Sequence, residues 1–132
     1  MLEMNESKIL LVEDEDQQRE VLSLLLENEG YRTLCFRSAE EALLQLENIR
    51  PDLIITDVKL IGLDGFSLYE KILTMPEFQK IPFIFITGYN DPKAIEAVKI
   101  LGAVGYITKP YEVEELLTIV RKTIPSTKNV SH

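Results

Sequence analysis

LIITDVKL, residues 53–60, is an apolar, β-branched run that halts at Asp57 and continues into a lysine. A continuous apolar stretch of this length, without polar alternation, reads as a strand covered on both faces, the pattern of a parallel sheet. Pro51 interrupts the chain just ahead of it. Parallel neighbours cannot be joined by tight hairpins, so the flanking sequence has to supply further buried strands alternating with crossover helices.

Toward the N-terminus, Ile9-Leu10-Leu11-Val12 is a second buried run, ending in Glu13-Asp14-Glu15-Asp16. From Gln17 onward, Val21, Leu22, Leu24, Leu25 and Leu26 keep helical spacing up to Asn28, and Gly30 is a helix stop. Tyr31 to Phe36 reads as a strand, and Ser38-Ala39-Glu40-Glu41 as a capping box opening a helix through Leu43, Leu44 and Leu46. Toward the C-terminus, a helix is predicted from about Phe66 to Leu73, ending before Pro76, followed by a buried run at Phe83 to Thr87. Asp91-Pro92 supplies an N-cap and a proline at the first helical position, launching a helix toward Leu101-Gly102. Gly105 to Thr108 is a shorter strand, and Tyr111 to Ile124 carries the Leu116, Leu117, Ile119, Val120 stripe of a last amphipathic helix. The expectation is an α/β fold: a doubly wound, five-stranded parallel sheet with helices on both faces. It spans residues 8–124, with a polar lead at 1–7 and a polar tail or linker start at 125–132.

The chain has 132 residues, 45% of them hydrophobic, which suits one domain with a real core. Its 22 acidic against 14 basic residues give a net charge of −8, which disfavours direct binding to nucleic acid or an anionic membrane and favours a cation or a protein partner. Cys35 is the only cysteine, so no internal disulfide is expected; it reads as a small buried hydrophobe. No apolar stretch approaches the roughly 20 residues that span a bilayer, and the first six residues are acidic where a signal peptide is basic. A cytoplasmic location is expected. His132, the only histidine, lies in the tail and is not expected to act as a base.

In open parallel sheets ligands bind beyond the carboxyl ends of the strands. Those ends hold Glu13 and Asp14, then Asp57, Thr87 and Lys109. A phosphate cradle would need glycines after the first strand, but Glu-Asp-Glu-Asp repels phosphate. Two carboxylates about 5 Å apart repel by roughly 3 kcal/mol at an effective dielectric near 20. Gathering three of them calls for a divalent cation, and hard oxygen donors with open positions suit Mg2+. With its charge compensated, Asp57 can serve as a nucleophile that accepts a phosphoryl group as an acyl phosphate.

The order of these features resembles the receiver domain of two-component response regulators: an acidic pair, an apolar strand ending in Asp57, Ile86-Thr87, and Thr108-Lys109-Pro110. The resemblance runs from about Lys8 to Ile124 and implies a flavodoxin-like topology. It implies that Asp57 takes a phosphoryl group from a histidine-kinase phosphohistidine, directly or through a phosphotransfer protein. Glu13, Asp14, Asp57 and the backbone carbonyl of Lys59 would hold Mg2+, and Thr87 and Lys109 would contact the phosphoryl group. Thr87 and Tyr106 would form the switch, and Lys109-Pro110 would be cis. The fourth helix, fifth strand and fifth helix, roughly Asp91 to Ile124, would present the result to an output domain or protein, or to a second copy as a homodimer.

Four positions depart from the common pattern or vary within it. Ile61 stands where a proline is frequent and Gly88 where an alanine is frequent, while Lys59 and Tyr89 flank the site and are expected to tune phosphoryl-group lifetime. Two rival functions are distinguishable. A phosphatase of the haloacid dehalogenase type needs a second acid two residues after the nucleophile, where Lys59 stands. A phosphorylation-independent pseudo-receiver usually lacks one of the acidic pair, the acceptor or the lysine, and all are present. Taken singly, Glu15 and Asp16 read as a solvated turn with Asp16 capping the next helix, and Tyr106 as a static half-buried ring.

Overall fold

The computed structural model describes residues 6–88, 91–102 and 105–126. Strands β1 (Lys8–Val12), β2 (Arg32–Phe36), β3 (Leu53–Asp57), β4 (Phe83–Gly88) and β5 (Gly105–Lys109) alternate with helices α1 (Asp16–Asn28), α2 (Ala39–Ile49), α3 (Gly65–Leu73), α4 (Pro92–Leu101) and α5 (Val113–Thr123). All the strand pairs are parallel, in the order β2-β1-β3-β4-β5.

Strand alternation divides the core into two layers. Leu10, Val12, Ile54, Phe83 and Phe85 face α2, α3 and α4, while Ile9, Leu11, Leu53, Ile55, Ile84, Ile86 and Ile107 face α1 and α5. Both faces being covered explains why β1, β3 and β4 read as unbroken apolar runs. Edge-to-face contacts of Tyr69 with Phe83 and Phe85 knit α3 to the sheet, and the Tyr69 hydroxyl donates to the Leu101 carbonyl at the end of α4 (2.9 Å). At the far edge, Ser7 donates to the Pro125 carbonyl (2.9 Å), and the Ser126 hydroxyl donates to the Glu29 carbonyl.

Several local expectations shift. The first helix has Glu15, not Asp16, at its N-cap, with no side-chain capping bond. Asp16 instead pairs with Arg19, whose hydrogen bond and charge hold its carboxyl below the usual range. Ser38 caps α2 by accepting from the Glu41 amide as expected, but the Glu41 carboxylate accepts in return from the Arg37 amide, one residue before the cap. Asp91 caps α4 by accepting from the Ala94 amide, with Pro92 in the first turn. The last helix starts at Val113 rather than Tyr111, its box formed by Glu112 and Glu115. Cys35 is exposed, not buried, because β2 is an edge strand whose packed side chains are Leu34 and Phe36.

One glycine positions the site. The Gly65 amide donates to the Val58 carbonyl at 2.8 Å, and a Cβ on Gly65 would lie 2.2 Å from the Asp57 carbonyl oxygen. Only a residue without a side chain lets α3 begin this close to the end of β3. Gly65→Ala is therefore expected to destabilise by about 2 kcal/mol, the usual scale of overpacking, read as a lower urea midpoint. An unchanged midpoint would mean that this corner yields freely.

Candidate functional site

The sheet reverses its winding between β1 and β3, and their carboxyl ends open a crevice there. Register sets the strand ends level: Val12 pairs with Thr56, Asp57 with Ile86, Thr87 with Thr108, and Gly88 with Lys109. A cavity of about 230 Å3 results, lined by Asp14, Asp57, Lys59, Thr87 and Lys109 among others. The structure thus gathers the strand-end residues expected from the sequence.

Glu13 is 1% exposed and Asp57 6%. Lys109 bridges them, its Nζ donating to Asp57 Oδ2 (3.2 Å) and Glu13 Oε1 (3.3 Å). Glu13 Oε2 also accepts from the Glu15 amide, and Asp14 Oδ2 from the Ile61 amide (3.2 Å). Asp57 Oδ1 has no hydrogen-bond partner, although it is buried. Burial, reinforced by the hydrogen bond and charge of Glu13 and only partly offset by Lys109, pushes the Asp57 carboxyl up to about 8. Burial pulls the Lys109 ammonium down, but Asp57 and Glu13 outweigh it and hold it above its ordinary value.

The acidic triad also fits a cation. Glu13, Asp14 and Asp57 each offer an oxygen, all within 4.8 Å of one another. Lys109 pairs with Glu13 and Asp57, and the buried Oδ1 of Asp57 has no hydrogen-bond partner, a place a hard cation would fill. The donor set is compatible with Mg2+.

Thr87 is buried at the end of β4, and Tyr106 is half-buried against the layer of Phe83 and Phe85. Lys59 extends into solvent, 3.8 Å from Asp91 at the N-cap of α4. Ile61 is exposed, and the Lys109–Pro110 bond is cis. Tyr89 and His132 lie outside the described residues.

Two neighbours escaped the sequence reading. Gln18 on α1 accepts from Lys109 Nζ at 2.8 Å, the shortest of that ammonium's three contacts. No spacing in the sequence points to it, because the contact joins the first turn of α1 to the end of β5, 91 residues away. Tyr111, two residues beyond Lys109, packs on the α1/α5 layer; burial, then the charges of Asp57 and Glu13, push its phenol up to about 12. Among the described residues no helix is long and apolar enough to cross a membrane.

Comparison with known proteins bears on the same features. Sporulation initiation phosphotransferase F of Bacillus subtilis is 33% identical over 126 residues, covering 96% of this chain and 99% of that protein. The response regulator protein TmoT of Ectopseudomonas mendocina is 35% identical over 120 residues, which is 90% of this chain but 53% of that protein. Among solved structures, the signal receiver domain of a signal transduction histidine kinase from Syntrophus aciditrophicus superposes with a TM-score of 0.83 at 35% identity, covering 95% of both chains. The Vibrio cholerae chemotaxis protein CheY4 gives 0.83 at 27% identity, over 91% of this chain and all of that one. Such modules work in signalling. With a family model of the response regulator receiver domain matching residues 9–121, the chain belongs to the receiver domain family of two-component signal transduction.

Proposed function

We propose that Asp57 is the phospho-acceptor of this receiver, charged from the phosphohistidine of a sensor histidine kinase or a phosphotransfer protein. Asp57, buried with its Oδ1 unpartnered and lining a cavity together with Asp14, Thr87 and Lys109, carries this reading. A carboxylate oxygen of Asp57 attacks phosphorus, an O–P bond forms, the P–N bond of the phosphohistidine breaks, and the imidazole nitrogen keeps the electron pair and takes up a proton. Glu13, Asp14, Asp57 and the Lys59 carbonyl would hold Mg2+, which supplies charge neutralisation for the phosphoryl oxygens. Lys109 stands beside Asp57 and can move its hydrogen bond from the carboxylate to a phosphoryl oxygen. Thr87, at the same strand end, offers its hydroxyl.

Thr87 and Tyr106 form the switch in this reading. Drawing Thr87 toward the phosphoryl group vacates space that the half-buried Tyr106 ring takes up, and the α4–β5–α5 face reports the change to a partner. Ile100 and Val113 expose apolar surface on that face, 78% and 40% respectively. An output domain or protein, or a second copy, is the expected reader. The protein would act in the cytoplasm, with slow autodephosphorylation and no turnover of a separate substrate. Residues 8–124 would be the working unit, and the segments on either side its polar lead and tail.

The test is intact mass after incubation with Mg2+ and a small phosphodonor such as acetyl phosphate or phosphoramidate. A gain of one phosphoryl group that disappears in Asp57→Asn is expected. No gain in wild type that still folds and binds Mg2+ would overturn the assignment in favour of a phosphate-independent scaffold.

A further inference from the structure

We propose that Gln18 is a positioning residue for Lys109, a neutral anchor that holds the ammonium on the outer side of the site. The inference rests on the reading that Lys109 serves the phosphoryl group. An ammonium has three donors, and those of Lys109 are matched by Asp57 Oδ2, Glu13 Oε1 and Gln18 Oε1. The first two acceptors are nearly fully buried, so both draw the ammonium inward. Gln18 alone opposes them, from the first turns of α1, at 2.8 Å.

The carboxamide cannot simply turn over. Its Nε2 donates to the Glu15 carboxylate at 3.1 Å while its oxygen accepts from Lys109, so a flip would set donor against donor and acceptor against acceptor. Clamped in this sense, Gln18 joins α1 to the catalytic cation. It also lines a second cavity of about 580 Å3, formed with Val21, Leu22, Pro110 and Tyr111, and Lys109 borders both cavities. Without the Gln18 oxygen, the ammonium settles onto Asp57 and Glu13, which masks the nucleophilic oxygen and withdraws the charge from where phosphoryl oxygens arrive.

Gln18→Met keeps the length of the side chain and removes its acceptor. A small phosphodonor takes partner docking out of the comparison, so phosphorylation rates by intact mass with phosphoramidate and Mg2+ read the chemistry alone. Gln18→Met is expected to phosphorylate roughly fivefold more slowly, part of the effect of one hydrogen bond to a charged group, with an unchanged melting temperature. In a Lys109→Met background the same substitution is expected to change nothing, because its target is gone. Should Lys109→Met prove too slow to follow, the Lys109 side-chain resonances of lysine-labelled protein decide: they shift in Gln18→Met if the contact exists. Equal rates in wild type and Gln18→Met, undiminished slowing in the Lys109→Met background, or unmoved Lys109 resonances would each overturn the anchor while leaving the site assignment intact. Wild-type rates in Lys109→Met would instead remove the reading on which the anchor depends.

Discussion

In Mg2+-free buffer at pH 8, Asp57→Asn is expected to be more stable than wild type by on the order of 3 kcal/mol, and the gap is expected to close by pH 4. The cause is the raised carboxyl: folding moves Asp57 from an ordinary 3.8 to about 8, through burial and then Glu13, against the partial relief of Lys109. A group whose folded pKa lies above its unfolded value holds its proton more tightly in the native state. Its contribution is therefore fully favourable below about pH 4 and is lost as pH rises through the window between the two values. Each unit is worth about 1.4 kcal/mol, so even partial expression of the shift is large for one domain. The asparagine amide can accept from Lys109 and donate to Glu13 without ionising, so the variant escapes the penalty. Thermal or urea unfolding across this pH range, followed by circular dichroism because the chain has no tryptophan, measures the gap. A pH-independent difference, or a wild type that outlasts the variant at pH 8, would refute the electrostatic account.

How far the sequence carries this result differs from residue to residue. Runs such as Ile9 to Val12 and Leu53 to Thr56 are legible because a strand covered on both faces has no polar positions to confuse with a helix. Their abrupt ends in Glu13 and Asp57 are legible for the same reason, since a carboxylate in such a run has to mark its limit. Thr87 and Lys109 acquire meaning from the ends of the other strands, and the register places them there. Contacts set by tertiary geometry are another matter. That Lys109 reaches Gln18, 91 residues away, depends on how α1 leans over β5. Cys35 reads as buried from its chemistry alone, but whether an edge strand is covered at that point is decided by helix placement. Glu15, not Asp16, stands at the cap of α1, and the Asp16 carboxylate pairs with Arg19 one turn on, neither of which the composition of the acidic run reveals. The crowding of Gly65 against the Asp57 carbonyl is equally silent in sequence, because it depends on how closely α3 starts to the end of β3.

Removing Lys109 is expected to produce the largest loss, and Mg2+ to restore much of it. Above pH 8, where Asp57 is ionised in the native state, Lys109→Ala leaves Glu13 and Asp57 facing each other at 1% and 6% exposure without their only cationic partner among the described residues. Removing one member of a buried ion pair typically destabilises by 3–5 kcal/mol; a loss of about 3 kcal/mol fits a lysine side chain that is itself one third exposed. A divalent cation bound to the native state stabilises by about 2.7 kcal/mol at a hundred times its dissociation constant. Wild type should therefore melt several degrees higher in millimolar Mg2+. The increment should be larger in Lys109→Ala, where the acidic cluster no longer shares its field with an ammonium. Asp14→Asn and Asp57→Asn each remove a charged oxygen donor from the cluster, so both should respond far less. High NaCl in place of Mg2+ separates site binding from general screening, because screening acts weakly on charges this buried. Equal Mg2+ responses in wild type, Asp14→Asn and Asp57→Asn would place the cation elsewhere. A Lys109→Ala protein as stable as wild type without Mg2+ would show that the buried carboxylates relieve their repulsion by taking up a proton rather than by pairing with the lysine.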